Sequence, residues 1–137
     1  MATGFGVVHA AAPALAVTTR MTIGNGSGSC PLGYVCLWTL DNYTGTGYAF
    51  YNSETDYSTL PAPFNNIQDN SWSFYNNGQT SDITFYRDYG YGGDWFVVCK
   101  QTGIPSLPSN STLPTWTNEP GRGWRDHVSS HRFGAYC

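Results

Sequence analysis

The sequence sets out one pattern of aromatic residues and glycine twice, 48 positions apart. In WTLDNYTG, an aromatic residue is followed by four residues, a second aromatic, one residue and a glycine; YRDYGYGG repeats this spacing. A hairpin that folds back over its own sheet can stack two rings across the bend, and glycine adopts backbone conformations that strain other residues. The pattern therefore predicts two matching aromatic corners, formed by Trp38, Tyr43 and Gly45 and by Tyr86, Tyr91 and Gly93.

Short runs typical of β-strands flank each corner. The run YVCLW precedes the first corner and DITFY precedes the second, and an alternating run follows each glycine. A later segment, NSWSFYNN or HVSSHRFG, closes each half. Four strands with a long connection before the last form a Greek key, and two packed keys form a sandwich. We predict an all-β sandwich with one key at about 30–78 and the other at about 80–137.

These phrases resemble a known superfamily. The duplicated corner spacing is the signature of the βγ-crystallin Greek key, and CPLGYVCLWTLDNYTGTGY, FYRDYGYGGDW and the terminal SSHRF are similar to its bacterial peptidase-inhibitor branch. The resemblance covers residues 30–137. It implies a βγ-crystallin-like sandwich, inhibition of metalloproteinases of the thermolysin kind, and a protein partner rather than a substrate.

Four cysteines occur, at Cys30, Cys36, Cys99 and Cys137. An even number in a small chain is compatible with two disulfides in any of three connectivities, of which we favour Cys30–Cys36 and Cys99–Cys137. On the chain-entropy model, the longer loop contributes about 4 kcal/mol to stability and the shorter about 2 kcal/mol. Metal binding by the cysteines is disfavoured because the sequence has no CxxC pair.

The first 29 residues differ from the rest. Residues 1–16 are small and mildly apolar and end in Ala14-Leu15-Ala16, which resembles a signal-peptide cleavage site, although no basic residues precede it. We expect a cleaved leader and a secreted protein. The alternative is an extended arm held by a neighbouring subunit of a surface assembly, such as a virion or coat. The Gly/Ser-rich stretch up to Cys30 is predicted to be a linker.

Composition excludes several classes of function. Only 11% of the residues are charged and the net charge is −3, with no basic stripe to neutralise phosphates, so a nucleic-acid partner is not expected. The apolar stretch near the N-terminus is too short to span a membrane. Aromatic residues make up 16% of the chain, which argues against disorder and supplies rings for a recognition surface.

Two segments are candidates for protease recognition. The segment that leaves the second hairpin contains Val97, Val98, Cys99 and Lys100; a disulfide there would limit the flexibility lost on binding. A thermolysin-like enzyme prefers a bulky apolar residue after the scissile bond, so Lys100 fits poorly after Cys99 and the valines are alternatives. The alternative interpretation is a core strand. The long Pro/Ser/Thr-rich stretch that follows carries Trp116 and Trp124, which either recognise a partner or fasten the loop.

No cofactor is required, but calcium is considered because βγ-crystallin domains often carry a calcium loop. The aligned stretches here are QDNSWS and RDHVSS. Both keep an aspartate at the second position and depart at the first, and Trp72 at the fifth position of the first stretch cannot ligate calcium. The oxygen donors that remain are Asp69, Ser73, Asp126, Ser129 and Ser130. Alternatively, these side chains satisfy backbone groups of turns.

Catalysis has little support in the sequence. Asp126, His127, Ser129 and His131 are the residue types of a hydrolase triad, but neighbours in a strand point to opposite faces. No G-x-S-x-G motif is present, and two histidines four apart need a helix to bind zinc together. We therefore predict a binding protein and not an enzyme.

Overall fold

The computed structural model describes residues 18–107, 117–118 and 123–137, and within these ranges the regular structure is β-strand with short 3₁₀ turns. The eight strands are β1 (Arg20–Ile23), β2 (Val35–Leu40), β3 (Thr44–Phe50), β4 (Ser73–Asn76), β5 (Asp82–Asp88), β6 (Gly92–Val98), β7 (Thr102–Ile104) and β8 (Ser130–Gly134). The 3₁₀ segments are Ser27–Ser29, Asp41–Tyr43, Tyr57–Thr59, Phe64–Ile67 and Tyr89–Tyr91. None of the described segments is a helix long and apolar enough to cross a membrane.

Both sheets are antiparallel, and the two halves of the chain are interleaved between them. A five-stranded sheet has the order β1-β3-β2-β4-β7, and a three-stranded sheet has the order β6-β5-β8. Strand β7 comes from the second half but pairs with β4 of the first, where Phe74 is opposite Ile104. In the other direction, Glu54 of the first half forms an isolated bridge with His131 in β8. Each half therefore contributes backbone pairing to the sheet of the other.

The core lies between the two sheets and is filled mainly by aromatic and branched side chains. Phe74 of the first sheet meets Phe85 of the second with ring centroids 4.5 Å apart, and Phe85 lies 5.2 Å from Phe96. Ring pairs at these separations stabilise a core beyond their buried area. A second cluster covers the outer face of the five-stranded sheet, where Trp38 is fully buried.

The two predicted aromatic corners are confirmed. The ring centroids of Trp38 and Tyr43 are 5.2 Å apart and those of Tyr86 and Tyr91 are 5.4 Å apart, so both ring pairs are in contact. The expected stacking is not found, because the first pair meets edge to face at 68° and the second is tilted by 45°. Gly45 has φ 80°, and a Cβ there would lie 2.4 Å from the Thr39 Oγ1. The glycine of the first corner is thus required both by its backbone conformation and by lack of space.

One buried serine fastens each corner to the strand that closes its half. The Ser73 hydroxyl donates to the Leu40 carbonyl at 2.7 Å and accepts from the Tyr43 N–H at 3.1 Å. Its counterpart Ser130 donates to the Asp88 carbonyl at 2.7 Å and accepts from the N–H of the second corner's tyrosine at 3.3 Å. The matching bonds explain why both halves place a serine at this position.

The predicted linker before Cys30 is wrong for the described part of that stretch. Residues Arg20–Ile23 form β1, which pairs with β3 in the same chain, so the sheet begins before the predicted boundary. Met21 and Ile23 pack against the outer cluster, an alternation that the surrounding Gly and Ser residues obscure. Residues 1–17, which carry the predicted leader or arm, lie outside the described residues.

Candidate functional site

Two disulfide-braced turns flank the connection between the halves of the chain. Both predicted disulfides, Cys30–Cys36 and Cys99–Cys137, are formed. The turn at 31–34, the turn at 99–102 and the connection at 77–81 are joined by hydrogen bonds to one another or through Asn76. We call these three segments together the linker end, after the connection at 77–81 that links the two halves of the chain.

The first turn presents an exposed leucine. The Tyr34 N–H donates to the Pro31 carbonyl at 3.1 Å, and Gly33 has φ 90°, the combination found in a type II turn with glycine at its third position. Leu32 occupies the preceding position and is 60% exposed. The Cys30–Cys36 disulfide closes the loop around this turn. The side chain is therefore held out on a loop closed by a covalent bond.

Asn77 fastens the first turn to the connection between the halves. Its carbonyl accepts from the Gly33 N–H at 2.8 Å, and its own N–H donates to the Tyr34 carbonyl at 2.9 Å. The Asn77 side-chain Nδ2 donates to the Cys30 carbonyl at 2.7 Å. Three hydrogen bonds to a single residue add to the disulfide, so the turn is restrained from both sides.

The second turn is tied to the same connection. The Gln101 N–H donates to the Asn76 carbonyl at 2.8 Å, and its Nε2 donates to the Gly78 carbonyl at 2.8 Å. Within the turn, the Thr102 N–H donates to the Cys99 carbonyl at 3.2 Å. Lys100 is exposed at its apex. The linker end thus carries an apolar apex and a cationic one.

Asp82 holds the second disulfide from inside. Its Oδ1 accepts from the Lys100 N–H at 2.9 Å, and its Oδ2 accepts from the Tyr136 and Cys137 N–H groups at 2.8 Å each. Burial acts to raise the pKa of Asp82, but the three N–H donors and the Lys100 charge outweigh it and lower that pKa. A buried carboxylate therefore connects both ends of the Cys99–Cys137 bridge.

An open cleft of about 380 Å³ lies beside the first turn. Its lining combines two aromatic rings with amide, hydroxyl and glycine groups, and contains no carboxylate, ammonium, guanidinium or imidazole group: Gly33, Tyr51, Asn52, Ser53, Gly78, Gln79, Thr80, Ser81 and Phe133. Tyr51 is 42% exposed, and its ring lies 5.3 Å from that of Tyr34. The surface around Leu32 therefore offers rings and neutral hydrogen-bonding groups.

The structure separates the predicted recognition residues. Val97 and Val98 are buried in β6, so the prediction that they form an exposed loop is wrong and the core-strand alternative holds. Cys99 is partly exposed and Lys100 is exposed, and both belong to the linker end. Val98 is buried because it faces the core between the sheets, and Val97 lies on the other face of β6 beside Trp95 and Tyr136.

Trp124 is also a core residue rather than part of a recognition loop. It is fully buried, its ring is 4.8 Å from that of Phe96, and the Arg87 guanidinium lies 4.6 Å above it. A side chain with no exposed surface cannot contact a partner. Trp116 lies outside the described residues.

The stretch QDNSWS, together with Ser129 of the second stretch, provides a donor set that fits a cation. The Ser129 hydroxyl donates to the Asp69 Oδ1 at 3.2 Å and accepts from the Gln68 Nε2 at 2.9 Å. The Gln68 Oε1 is buried and has no hydrogen-bond partner among the described residues. A carboxylate, a hydroxyl and an unused amide oxygen are the ligand types that calcium takes. Calcium binding by Asp69 and Ser129 stays a prediction.

The second calcium loop does not fit a cation. The Asp126 Oδ1 accepts from the Trp72 Nε1 at 2.9 Å, and the Arg125 guanidinium lies 4.4 Å above the same ring. Arg125 also forms an ion pair with Asp41, at 2.9 Å. A second cation beside this fixed positive charge would be repelled. In both loops, moreover, Ser73 and Ser130 already serve the aromatic corners.

The residues of the rejected triad are not brought together. His131 is fully buried between the Tyr57 hydroxyl, 2.7 Å from its Nδ1, and the Asn52 carbonyl, 2.8 Å from its Nε2. Burial lowers the pKa of His131 to about 4, while the Asn52 carbonyl acts in the opposite direction. His127 is exposed, and the Ser129 hydroxyl is hydrogen-bonded to Asp69 and Gln68. His131 therefore serves the packing of the sandwich.

Sequence reasoning did not select Leu32, Asn77 or Asp82. A usable signal existed for the first: Pro-x-Gly between two closely spaced cysteines indicates a closed turn, and the middle residue is then displayed. Asn77 and Asp82 had no such signal, because their partners are distant in sequence.

Comparison with known proteins identifies relatives of the fold and the family. A family model described as "Peptidase inhibitor family I36" matches residues 25–98. No curated protein matches the sequence. Three solved structures at 14–16% identity show the fold alone, as follows.

A structure described as "Evolution of the eye lens beta-gamma-crystallin domain fold" has a TM-score of 0.62 at 14% identity, over 87% of this chain and 100% of that one. A βγ-crystallin from Ciona intestinalis has a TM-score of 0.55 at 15% identity, over 74% and 100%. Spherulin 3a from Physarum polycephalum has a TM-score of 0.53 at 16% identity, over 85% and 98%. The predicted βγ-crystallin-like fold is confirmed.

Proposed function

The chain belongs to peptidase inhibitor family I36, and we propose that it is a secreted, non-catalytic inhibitor of a metalloproteinase that it contacts through the linker end. The family supports a protease-inhibitor-like role. The similarity of its motifs to the bacterial inhibitors of thermolysin-like enzymes supports the choice of a metalloproteinase.

The observation that carries the proposal is the pair of disulfide-braced turns on one connection. A protein inhibitor occupies the cleft of a protease without being released as product, which favours a segment that loses little freedom on binding. Here the Cys30–Cys36 and Cys99–Cys137 disulfides, together with the bonds to Asn76, Asn77 and Asp82, supply that restraint. Rigid turns also stay ordered if a peptide bond in them is cleaved, because the disulfide keeps the ends together.

Secretion is supported by the same covalent bonds. Disulfides persist in oxidising compartments and are rare in the cytosol. The Cys30–Cys36 bond closes the loop before β2, and the Cys99–Cys137 bond joins the turn after β6 to the segment after β8. An extracellular protein exposed to proteases would gain most from closing these two places.

The assembly alternative depends on an arm held by a neighbouring subunit. The described part of the N-terminal stretch pairs with β3 of its own chain, and the Tyr34 hydroxyl donates to the Thr18 carbonyl. Those contacts need no second subunit. The alternative now depends entirely on residues 1–17.

Titration against a purified thermolysin-like metalloproteinase tests the proposal. We expect inhibition with a dissociation constant of about 1 μM or lower, equivalent to at least about 8 kcal/mol of binding free energy. A serine protease assayed in parallel serves as the control and should keep its activity. Full metalloproteinase activity in a large molar excess of the folded, disulfide-bonded protein would refute the proposal.

A further inference from the structure

We propose that Leu32 is the side chain that enters the apolar pocket of the metalloproteinase, the pocket that receives the residue after the scissile bond. The inference rests on the proposed function and names its principal contact. The proposal places the residue that determines protease specificity in the first turn of the linker end, whereas the sequence analysis predicted a recognition segment around Cys99.

Exposure and fixation together single out Leu32. Two aliphatic side chains are among the large hydrophobic residues that are exposed in the described part of the chain, Leu32 and Leu40. Leu32 is 60% exposed and Leu40 is 46% exposed. An exposed leucine alone carries little information, since much of any protein surface is apolar. Leu32, however, lies inside a loop closed by a disulfide and bonded to Asn77, whereas Leu40 lies outside both disulfide loops, at the end of β2 in the first aromatic corner. An apolar side chain that is exposed and already restrained loses little conformational freedom when a partner buries it, which favours binding.

The backbone of the turn leaves Leu32 free to pair with a protease. The Pro31 carbonyl and the Gly33 N–H are used inside the protein, by Tyr34 and Asn77. Neither the N–H nor the carbonyl of Leu32 bonds to any residue that the structure describes. A partner can form hydrogen bonds to such free backbone groups while one of its pockets recognises the side chain between them.

The surroundings of Leu32 form a suitable rim for such a contact. Gly33 lies against the Tyr51 ring, since a Cβ added there would be 3.5 Å from it, and Tyr51 borders the neutral cleft. Interfaces commonly place an apolar anchor at the centre, with aromatic and polar groups around it. The rim of neutral groups also avoids placing a charge where water is excluded.

Lys100 and the valines of β6 are weaker candidates for the same pocket. An apolar pocket would have to desolvate the Lys100 ammonium, which costs far more than burying a leucine gains. Val97 and Val98 are buried and cannot reach a partner. Lys100 is better placed to contact a polar or acidic part of the protease surface beside the pocket.

Inhibition constants of five proteins against one thermolysin-like enzyme test the inference: wild type, Leu32→Asp, Leu32→Met, Lys100→Ala and the matched control Leu40→Asp. We expect Leu32→Asp to weaken inhibition by at least about 30-fold, the size of a binding hot spot. Leu32→Met, which keeps an apolar side chain of similar volume, should stay within about 10-fold of wild type, and Leu40→Asp within about 3-fold. Thermal melts establish that every variant is folded; if either aspartate variant is not, Leu32→Ala and Leu40→Ala replace the Leu32→Asp and Leu40→Asp pair.

The outcomes separate failure of this inference from failure of the proposed function. If wild type does not inhibit, the proposed function fails and the inference falls with it. If wild type inhibits and folded Leu32→Asp inhibits equally well, the function stands and the assignment of Leu32 is overturned. Equal losses in the Leu32→Asp and Leu40→Asp proteins, or a loss confined to Lys100→Ala, would also overturn it.

Discussion

Acidification between pH 6.5 and pH 4 should destabilise the protein through His131. The Nε2 of this buried imidazole must donate to the Asn52 carbonyl, which can only accept, so the Nδ1 is the acceptor and the Tyr57 hydroxyl donates to it. Burial, followed by the charges of Glu54 and Tyr91, raises the pKa of Tyr57 well above its usual value, so this hydroxyl keeps its proton. Protonating the Nδ1 would replace the acceptor by a donor.

The magnitude follows from the pKa of about 4 in the fold and the usual value of 6.5 in the unfolded chain. Because the folded pKa is the lower one, the unfolded state binds the proton first and the stabilisation is complete only above about pH 6.5. Linkage gives a loss of about 2 kcal/mol at pH 5 and about 3 kcal/mol at pH 4. Either loss is a large share of the stability of a small domain.

Urea unfolding at pH 7.5, 6, 5 and 4, with disulfides intact, measures the effect. His131→Gln is the comparison, since its amide can donate to the Asn52 carbonyl and does not titrate. We expect this variant to be less stable than wild type at pH 7.5, because ring contacts are lost, and the difference to shrink by about 3 kcal/mol at pH 4. His127→Gln, at an exposed position, should follow the wild-type profile.

A difference between wild type and His131→Gln that stays constant from pH 7.5 to pH 4 would refute the reasoning. It would mean that the imidazole accepts a proton in the folded protein as readily as in the unfolded chain. Parallel changes in both histidine variants would point instead to a general effect of net charge.

Three further predictions concern the bonds that hold the site and the corners. Asp82→Ala should lower the free energy of unfolding by about 3 kcal/mol, because three backbone N–H groups lose the carboxylate that accepts from them. Since the pKa of Asp82 is lowered in the fold, wild type should keep the stabilisation by this carboxylate until the pH falls below about 4. A loss under 1 kcal/mol in urea unfolding would contradict it. Ser130→Ala should lower the free energy of unfolding by about 2 kcal/mol, since the Asp88 carbonyl and the Tyr91 N–H both lose their partner; an unchanged unfolding midpoint would show that Ser130 does not hold the second corner. Millimolar calcium should raise the melting temperature of wild type and of Asp126→Asn but not of Asp69→Asn, and a wild-type temperature unmoved by calcium would end the calcium prediction.

Several features followed from short sequence patterns. The corner spacing identified Trp38–Tyr43 and its counterpart as contacting ring pairs because the contact is made within one hairpin, where sequence spacing determines proximity. The pairing of Cys30 with Cys36 was accessible for the same reason, as six positions separate them. The sandwich followed because alternating runs must bury one face.

Other features were misjudged because exposure is a property of the whole fold. Val98 and Trp124 occur in stretches that look like a surface loop. In the fold, however, both side chains belong to the core cluster between the sheets, where Trp124 also contacts Phe96 and Arg87. β1 escaped notice because four residues within a Gly/Ser-rich stretch carry little periodicity, and β3 supplies the partner that makes them a strand.

The sequence by itself determined the fold class and the two aromatic corners, and among three possible cysteine connectivities it favoured the one that the structure contains. The corners depend on contacts between near neighbours, and the fold class depends on alternating runs that must bury one face. Only the tertiary structure decided that β7 and Glu54 cross between the sheets, and that Leu32 is held out beside a neutral cleft. The physical reason is that the hydrogen-bond partners of Asn77 and Asp82 lie in distant parts of the chain, at Cys30 and Cys137. Only the packed sheets determine which backbone groups remain unpaired and need a side-chain partner, so a local sequence pattern cannot predict these bonds.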